Sequence, residues 1–399
     1  MDSASSILLT AAGAAIIALV IYDINATILK ATKQSGPFSI LLNRGLWFAV
    51  TRSTKTLSRR RRHRILSKVG PLLMPLIIAV FILMLVTGFA LIYLPRLTTE
   101  FKLNDAAQTN QVFQAFYISG VTFLTIGYGD IVPISNLTRT LSLIEAATGL
   151  AIISLSITYL LSVYGALERK RVVTLKFYHQ ARQGADVAGF IASHFARGRF
   201  HSLTEALREA TRDLQELLES HLEHPVIHYF HPPEVYKGFP RALFVVLETV
   251  AILNAHLDEA EYVEAGDHPD VLIAGDNALY VLAELVTALN LQFKASKSFE
   301  SDDETLLRRR KSFNRTLKIL DRTDIKTRRD IERAFLEYSE ERAEWERQLY
   351  HFAEFLGYDW DEVTGDRNLE DATDDEVTER HESLGSGEES NKKDTENQS

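Results

Sequence analysis

One stretch limits what this chain can fold into more than any other: Thr122-Phe123-Leu124-Thr125-Ile126-Gly127-Tyr128-Gly129-Asp130. Just before and into it runs Gln111 to Leu124, a mostly apolar segment of 14 residues. That is too short to span a bilayer and is the length of a re-entrant helix. Thr109 or Asn110 can cap its start. Uncharged segments long enough to cross a membrane stand on either side. Alone, Gly127-Tyr128-Gly129-Asp130 reads equally well as a tight turn, because glycine and aspartate are turn residues. The flanks decide otherwise, since irregular backbone at membrane depth survives only where it lines a cavity or is buried in protein.

Residues from about Ser67 to Arg171 resemble the pore module of the potassium channel superfamily, and the motif Thr125 to Asp130 carries the resemblance. Ile126 stands where valine is common, one β-branched residue for another. The resemblance implies an all-α membrane protein with an outer helix, a re-entrant pore helix, a selectivity filter and an inner helix. It implies passive conduction of K+ with no enzymatic chemistry and no organic cofactor. It also implies a homotetramer, because this chain carries one pore loop and a pore of this family needs four. In such a filter a dehydrated cation meets rings of backbone carbonyls in place of its water. Thr125, Ile126, Gly127, Tyr128 and Gly129 would supply them, with Gly127 and Gly129 at the backbone positions a Cβ resists. Tyr128 is expected to point away from the axis and pack against the pore helix. Two departures matter: Leu124 replaces a frequent threonine, and Val121 stands where some bacterial members place a glutamate. Asp130 then needs another partner, and the hydroxyl of Tyr117 is the candidate.

The N-terminal part fixes the orientation. Ile7 to Tyr22 is apolar and extends past Asp23 and Asn25 towards Leu29. Met1 to Ser6 carries no base, so a secretory signal is not indicated. Lys30 and Lys33 follow directly and predict an outside N-terminus. Between Lys30 and Pro71 stand 11 Lys or Arg residues and no acid. The densest part, Arg59-Arg60-Arg61-Arg62-His63-Arg64, marks a cytoplasmic segment and sends the next helix outward. Its arginines are consecutive and lie outside any apolar run, which argues against a voltage sensor. Beside a membrane span such a run suits anionic headgroups better than nucleic acid, at roughly 1 kcal/mol per basic residue; a bare topology signal accounts for it equally well. Phe38 to Val50, interrupted by Asn43 and Arg44, reads as an interfacial helix. A fourth crossing there would instead put the N-terminus inside.

Leu72 to Leu94 is an uncharged outer helix of 23 residues, closed by Pro95. Arg96 to Asn110 forms a turret, and Pro133 and Ser135 the outer mouth. The inner helix runs from about Leu137 to Leu167, with Glu168-Arg169-Lys170-Arg171 marking its arrival inside. Gly149, 20 residues after Gly129, stands where the resembled family bends this helix; close packing explains a mid-helix glycine equally. Glu145, an acid in a membrane helix, is a functional candidate, or else it hydrogen-bonds the back of the pore helix. Ile153, Ile157 and Leu161 follow Gly149 on one face, with Tyr164 below. Four copies of that face would make a constriction able to close by dewetting.

The remainder is charged where the first 170 residues are apolar. Of the formal charge of −9, the segment Tyr358 to Ser399 contributes 15 acidic and 4 basic side chains, so acidity belongs to the tail. The sequence divides into 1–58, an N-terminal crossing with a basic linker; 59–171, the pore module; 172–357, a helical cytoplasmic domain; and 358–399, a tail expected to be disordered. Ser202-x-x-Glu205 reads as a capping box. Ala242 to Leu257 and Ala278 to Phe293, interrupted by Glu248 and Glu284, read as buried core helices. From Asp324 to Leu356 a repeat of seven places Ile331, Tyr338, Trp345 and Phe352 on one position and Phe335, Arg342, Leu349 and Leu356 on another, compatible with a coiled-coil seam or an intramolecular bundle. No Gly-x-Gly-x-x-Gly follows a strand, which speaks against a Rossmann-type ligand domain. His221, His224, His228 and His231 fit no standard zinc spacing, and surface or cap roles are the expectation, with a pH sensor and a metal site as the alternatives. Val172 to Gln183 is the segment through which the cytoplasmic domain would reach the inner helix. A less selective cation channel and a membrane-anchored signalling protein with a silent pore are the competing functions.

Overall fold

The computed structural model describes residues 3–29, 36–103, 110–180, 187–232, 234–262, 268–291 and 302–366. The chain falls into two compact units: residues 1–49, 70–166 and 223–227 form the first, and 50–69, 167–222 and 228–399 the second.

The first unit is built on long apolar helices. Helix α1 (Ser3–Ile24) continues into a π turn over Asn25–Leu29; α2 is Pro37–Thr54, α3 Arg59–Tyr93, α4 Leu97–Glu100, α5 Gln111–Phe123 and α6 Asn136–Gln180. Of these, α2, α3 and α6 have one end in the second unit. Gly13 of α1 meets Gly88 of α3 so closely that a Cβ on Gly13 would lie 2.4 Å from the Gly88 carbonyl oxygen. Where lipid is as apolar as leucine, such van der Waals fit is what holds helices together. Val20, Ile77, Phe81, Leu85, Phe123 and Ile152 pack into one buried cluster, and Phe89, Tyr93, Leu97, Phe101, Ile118 and Ile131 into another. Strand β1 (Phe101–Leu103) pairs antiparallel with β2 (Ile131–Pro133), Lys102 opposite Val132.

Asp23 has a role that its place in an apolar run does not announce. Its buried carboxylate accepts from the Phe38 N–H at 2.6 Å and the Ser39 hydroxyl at 2.6 Å. It thereby caps α2 from another helix, with negative charge at the positive end of the dipole. Helix α2 is not among the helices long and apolar enough to cross a membrane, whereas α1, α3 and α6 are.

Helix α3 begins at Arg59, 13 residues before the expected start at Leu72, and passes through Pro71 and Pro75. Nothing in Arg59–Lys68 breaks a helix, and its first turn is anchored by side-chain contacts described below.

In the second unit α7 is Val187–Ser193, α8 Leu203–Glu223, α9 Phe239–His256, α10 Pro269–Ala288, α11 Asp302–Arg322, α12 Ile331–Phe355 and α13 Trp360–Thr364. Helix α9 is the axis. It has the length and hydropathy of a membrane span, yet 94% of that window is buried within the chain, against α7, α10, α12 and α13. The expected Ala242–Leu257 core helix therefore stands. Its companion starts nine residues earlier than the expected Ala278, because Pro269 suits a first helical position and His268 Nδ1 accepts from the Asp270 N–H. Asn290, at φ 48°, ends it before Phe293, which lies outside the described residues. Ser202 has φ 57° rather than the extended conformation of a cap, so the expected capping box is replaced. A small hairpin, β3 (Phe195–Ala196) with β4 (Arg199–Phe200), turns through Arg197 and Gly198, both at positive φ.

The repeat of seven is spent inside the chain. Tyr338, Trp345, Leu349 and Phe352 are at most 2% exposed, while Ile331 at its start is 47% exposed. Arg342, on the same seam, lies 3.5 Å from Glu248 of α9 and 2.7 Å from Glu346, and Arg309 of α11 reaches the other Glu346 oxygen at 2.6 Å. Tyr338 Oη donates to Glu248 at 2.5 Å. A seam that buries this network against α9 and α11 is an intramolecular bundle.

The boundary at Tyr358 moves. Tyr358 is buried, and α13 follows with a capping box in which Asp359 and Glu362 exchange side-chain and backbone hydrogen bonds. Arg241 Nη1 donates to the Val363 carbonyl at 2.8 Å. Acidic composition hid these residues because their partners are basic side chains far away in sequence. Residues 367–399 lie outside the described residues.

Candidate functional site: a pore loop

Asn110 caps α5, its Oδ1 accepting from the Val112 N–H at 2.9 Å; Thr109, the other candidate, lies outside the described residues. The helix ends through a paired closure: Ile126 N–H donates to the Val121 carbonyl at 2.9 Å and Thr125 N–H to the Thr122 carbonyl at 3.0 Å. That geometry needs a left-handed residue, and here it is Thr125, at φ 55°, rather than glycine. The negative end of the helix dipole thus points at the start of the motif, where it favours a cation.

Beyond that point the backbone alternates. Thr125, Gly127 and Gly129 have positive φ (55°, 64° and 77°), and the intervening Ile126 and Tyr128 do not. Alternation of handedness turns successive carbonyls towards the same side, which a uniform strand or helix cannot do. Nothing lies within 4 Å of where a Cβ would stand on Gly127 or Gly129. The glycines are therefore required by conformation and not by crowding.

Side chains brace this loop from behind. Tyr117 Oη donates to Asp130 Oδ2 at 2.7 Å. Glu145 of α6 is fully buried; it accepts from Tyr93 Oη of α3 at 2.7 Å and lies in hydrogen-bond contact with Ser119 of α5. One carboxyl group thereby joins the outer helix, the pore helix and the inner helix. Gly149 sits against the C-terminal end of α5, where a Cβ would come within 2.1 Å of the Phe123 carbonyl oxygen. This contact gives the glycine a packing reason, and α6 runs through it as one continuous helix.

The pore-facing candidates are uncovered within the chain. Ile153, Ile157, Leu161 and Tyr164 are 38%, 57%, 68% and 48% exposed, and Ile126 and Tyr128 are 48% and 70% exposed. The chain's own pore helix does not cover the Tyr128 ring, contrary to the simplest expectation.

The histidines do not converge. His221 and His228 stack with centroids 4.8 Å apart, both buried, and burial followed by the charge of Lys170 holds both well below the ordinary imidazole value. His224 Nε2 lies 2.9 Å from Ser162 Oγ, and His231 meets His63. Among the described residues no His, Asp and Glu group could hold a metal ion. The basic run also departs from a plain lipid-facing patch: Arg59 pairs with Glu362 and Arg62 with Asp359 at 3.0 Å, while Arg60, Arg61 and Arg64 are exposed. Sequence reasoning missed these pairs, since nothing in an arginine run names a carboxylate about 300 residues on.

Comparison with known proteins agrees with this geometry. Residues 78–165 match the model of the ion channel family. An uncharacterized membrane protein of Bacillus subtilis, YdjJ, is 26% identical over 58% of this chain and 66% of its own length. Two-pore potassium channel 4 of Arabidopsis thaliana is 33% identical over 17% of this chain and 24% of its own, and two pore potassium channel a of Oryza sativa 29% identical over 25% and 28%. The chain thus spans about two thirds of the bacterial relative and about a quarter of the plant ones. No solved structure matches. With its apolar crossing helices and its braced pore loop, this is a multi-pass, all-α membrane protein, and over residues 78–165 it carries a pore module of the potassium channel superfamily.

Proposed function

We propose that the chain is one subunit of a homotetrameric, potassium-selective, voltage-insensitive channel of the plasma membrane, its second unit cytoplasmic. The observation that carries this reading is the alternation of φ at Thr125, Gly127 and Gly129 directly beyond the C-terminal end of α5. It aims a column of carbonyl oxygens one way, and four such columns replace the hydration shell of K+. A single column coordinates nothing, so the chemistry itself asks for four chains. The exposure of Tyr128, Ile157 and Leu161 fits the same account, since neighbouring subunits cover the ring and the inner-helix face lines the conduit. In that assembly Ile153, Ile157, Leu161 and Tyr164 form the gate, and Gly149 and Glu145 hold the inner helix to the filter. Conduction is passive and needs no covalent chemistry. Arg61 and Arg64, which are exposed, can meet anionic headgroups.

The test is ion flux through the purified protein in liposomes under opposed potassium and sodium gradients, with Gly127→Ala as the control. A reversal potential near the potassium equilibrium value, abolished in the variant, supports the reading. Equal permeability to both ions replaces it with a non-selective cation channel. Silence both in the full chain and after deletion from Val172 onward replaces it with a membrane-anchored protein whose pore does not conduct.

A further inference from the structure

Within the second unit a chain of buried polar groups joins the first turn of α3 to α13. His63 Nδ1 lies 2.6 Å from His231 Nε2, and His63 Nε2 lies 2.8 Å from Glu362 Oε1. His231 Nδ1 lies 3.1 Å from the Leu356 carbonyl oxygen. Arg59 Nε donates to the same Glu362 oxygen, and the Asp359 N–H donates to Glu362 Oε2 at 2.9 Å. His63, His231 and Glu362 are at most 5% exposed, so water does not relieve a mismatch.

The protons in this chain can be counted. A carbonyl only accepts, so His231 Nδ1 carries a hydrogen and donates it to Leu356. His231 is neutral, because burial holds it well below the ordinary imidazole value. Its Nε2 is then an acceptor, and His63 Nδ1 must donate to it. At its other nitrogen His63 faces a carboxylate, which also only accepts. Glu362 is ionised, because the Arg59 guanidinium donates to one of its oxygens and the Asp359 N–H to the other. His63 must therefore donate from both nitrogens at once. The shared proton rests on the imidazole side because Arg59 already draws on the same carboxylate oxygen.

We propose that His63 is a buried imidazolium serving as the charged bolt of a latch between the cytoplasmic start of α3 and α13, and that losing its proton opens the latch as pH rises. Neutral His63 has one N–H for two acceptors. Either His231 Nε2 or Glu362 Oε1 is then left lone pair against lone pair in a site without water, which costs far more than an exposed hydrogen bond. The charged and titratable groups facing the bolt are Arg59 and Arg62 on α3, His231 and Tyr358 beside it, Asp359 and Glu362 at α13, and, facing His231, Lys170 of α6, whose Nζ lies 3.4 Å from the Phe230 carbonyl. The acids sit on the α13 side and the fixed cations on α3 and α6, so neutralising His63 weakens attraction across the joint. Glu362 ionises near 2 and cannot be the group that responds above neutrality.

The experiment uses the full-length protein in lipid, labelled with nitrogen-15 at histidine, and His63→Gln to assign the signal. At pH 7 solid-state NMR is expected to show His63 with both nitrogens protonated and His231 neutral. Hydrogen exchange of the 359–364 amides, corrected for intrinsic rate, is expected to accelerate as pH rises above the ordinary imidazole value of about 6.5, by up to about tenfold per pH unit, and to level off once His63 of the closed latch has lost its proton. Glu362→Gln is the informative variant: its amide oxygen keeps the Asp359 cap and its N–H donates to a neutral His63, while Arg59 loses the oxygen it shared with His63. There His63 becomes neutral at pH 7, α13 is less protected by the same amount at every pH, and the pH response disappears. His231→Gln keeps both an acceptor for His63 and a donor for Leu356, so it retains the imidazolium and serves if Glu362→Gln does not fold. A neutral His63 in the wild type at pH 7 overturns the proposal. So does protection of α13 that persists through the titration, or a pH response that Glu362→Gln leaves in place.

Discussion

Tyr117 Oη donates to Asp130 Oδ2 at 2.7 Å, joining the pore helix to the residue just past the filter. The contact spans 13 residues and closes the loop that contains Thr125 to Gly129. Tyr117→Phe removes the donor and little else. We expect conducting channels whose filter loses occupancy, seen as faster loss of flux at low potassium, with assembly unchanged on native gels. Unchanged flux at low potassium would refute a bracing role.

Gly149 separates two accounts of one residue. A Cβ there would meet the Phe123 carbonyl oxygen at 2.1 Å, and overpacking of this kind costs about 1–3 kcal/mol. Gly149→Ala should lower the thermal stability of the detergent-solubilised oligomer and reduce flux together. A variant of normal stability that assembles but stays shut would instead make this glycine a bend.

Arg342 lies between Glu248 and Glu346 in the centre of the second unit and is 3% exposed. Burying these charges is costly, but removing one partner is worse, at about 3–5 kcal/mol, because it leaves uncompensated charge. Arg342→Ala should unfold the second unit by circular dichroism at temperatures the parent tolerates. The double change Glu248→Gln, Arg342→Met, which leaves Glu346 to pair with Arg309, should recover much of the loss.

Glu341 offers a test by pH. Burial, partly offset by the Asn254 hydrogen bond, raises it from 4.5 to about 7. A carboxyl raised in the folded state binds its proton there more tightly than in the unfolded chain, so stability falls as pH rises from about 4.5 to about 7. Glu341→Gln should change little at pH 5 and stabilise by about 2–3 kcal/mol at pH 8. Denaturant melts at the two pH values measure this, and equal effects at both would refute it.

The division between what was legible and what was not follows from the range of the interactions. The motif at Thr125 to Gly129, the short run before it and the charge-free stretches beside it are local, and local backbone chemistry together with bilayer thickness dictates their form. Pore helix, filter and crossing helices were therefore readable from sequence, as was α9 as a core helix despite its hydropathy, because Glu248 betrayed it. The competition between a coiled-coil seam and a bundle was not readable: Trp345 and Phe352 are equally content in either, and only the position of α9 and α11 decides. Likewise a run of arginines carries no mark of where its counter-charges lie. Composition assigned Glu362 to an acidic tail, yet the tertiary structure puts it against Arg59 and His63, about 300 residues away in sequence. Sequence alone determined the loop from Thr125 to Gly129 and the apolar helices beside it. Tertiary structure decided which buried charges meet, because desolvated ions are satisfied only by particular partners at particular distances.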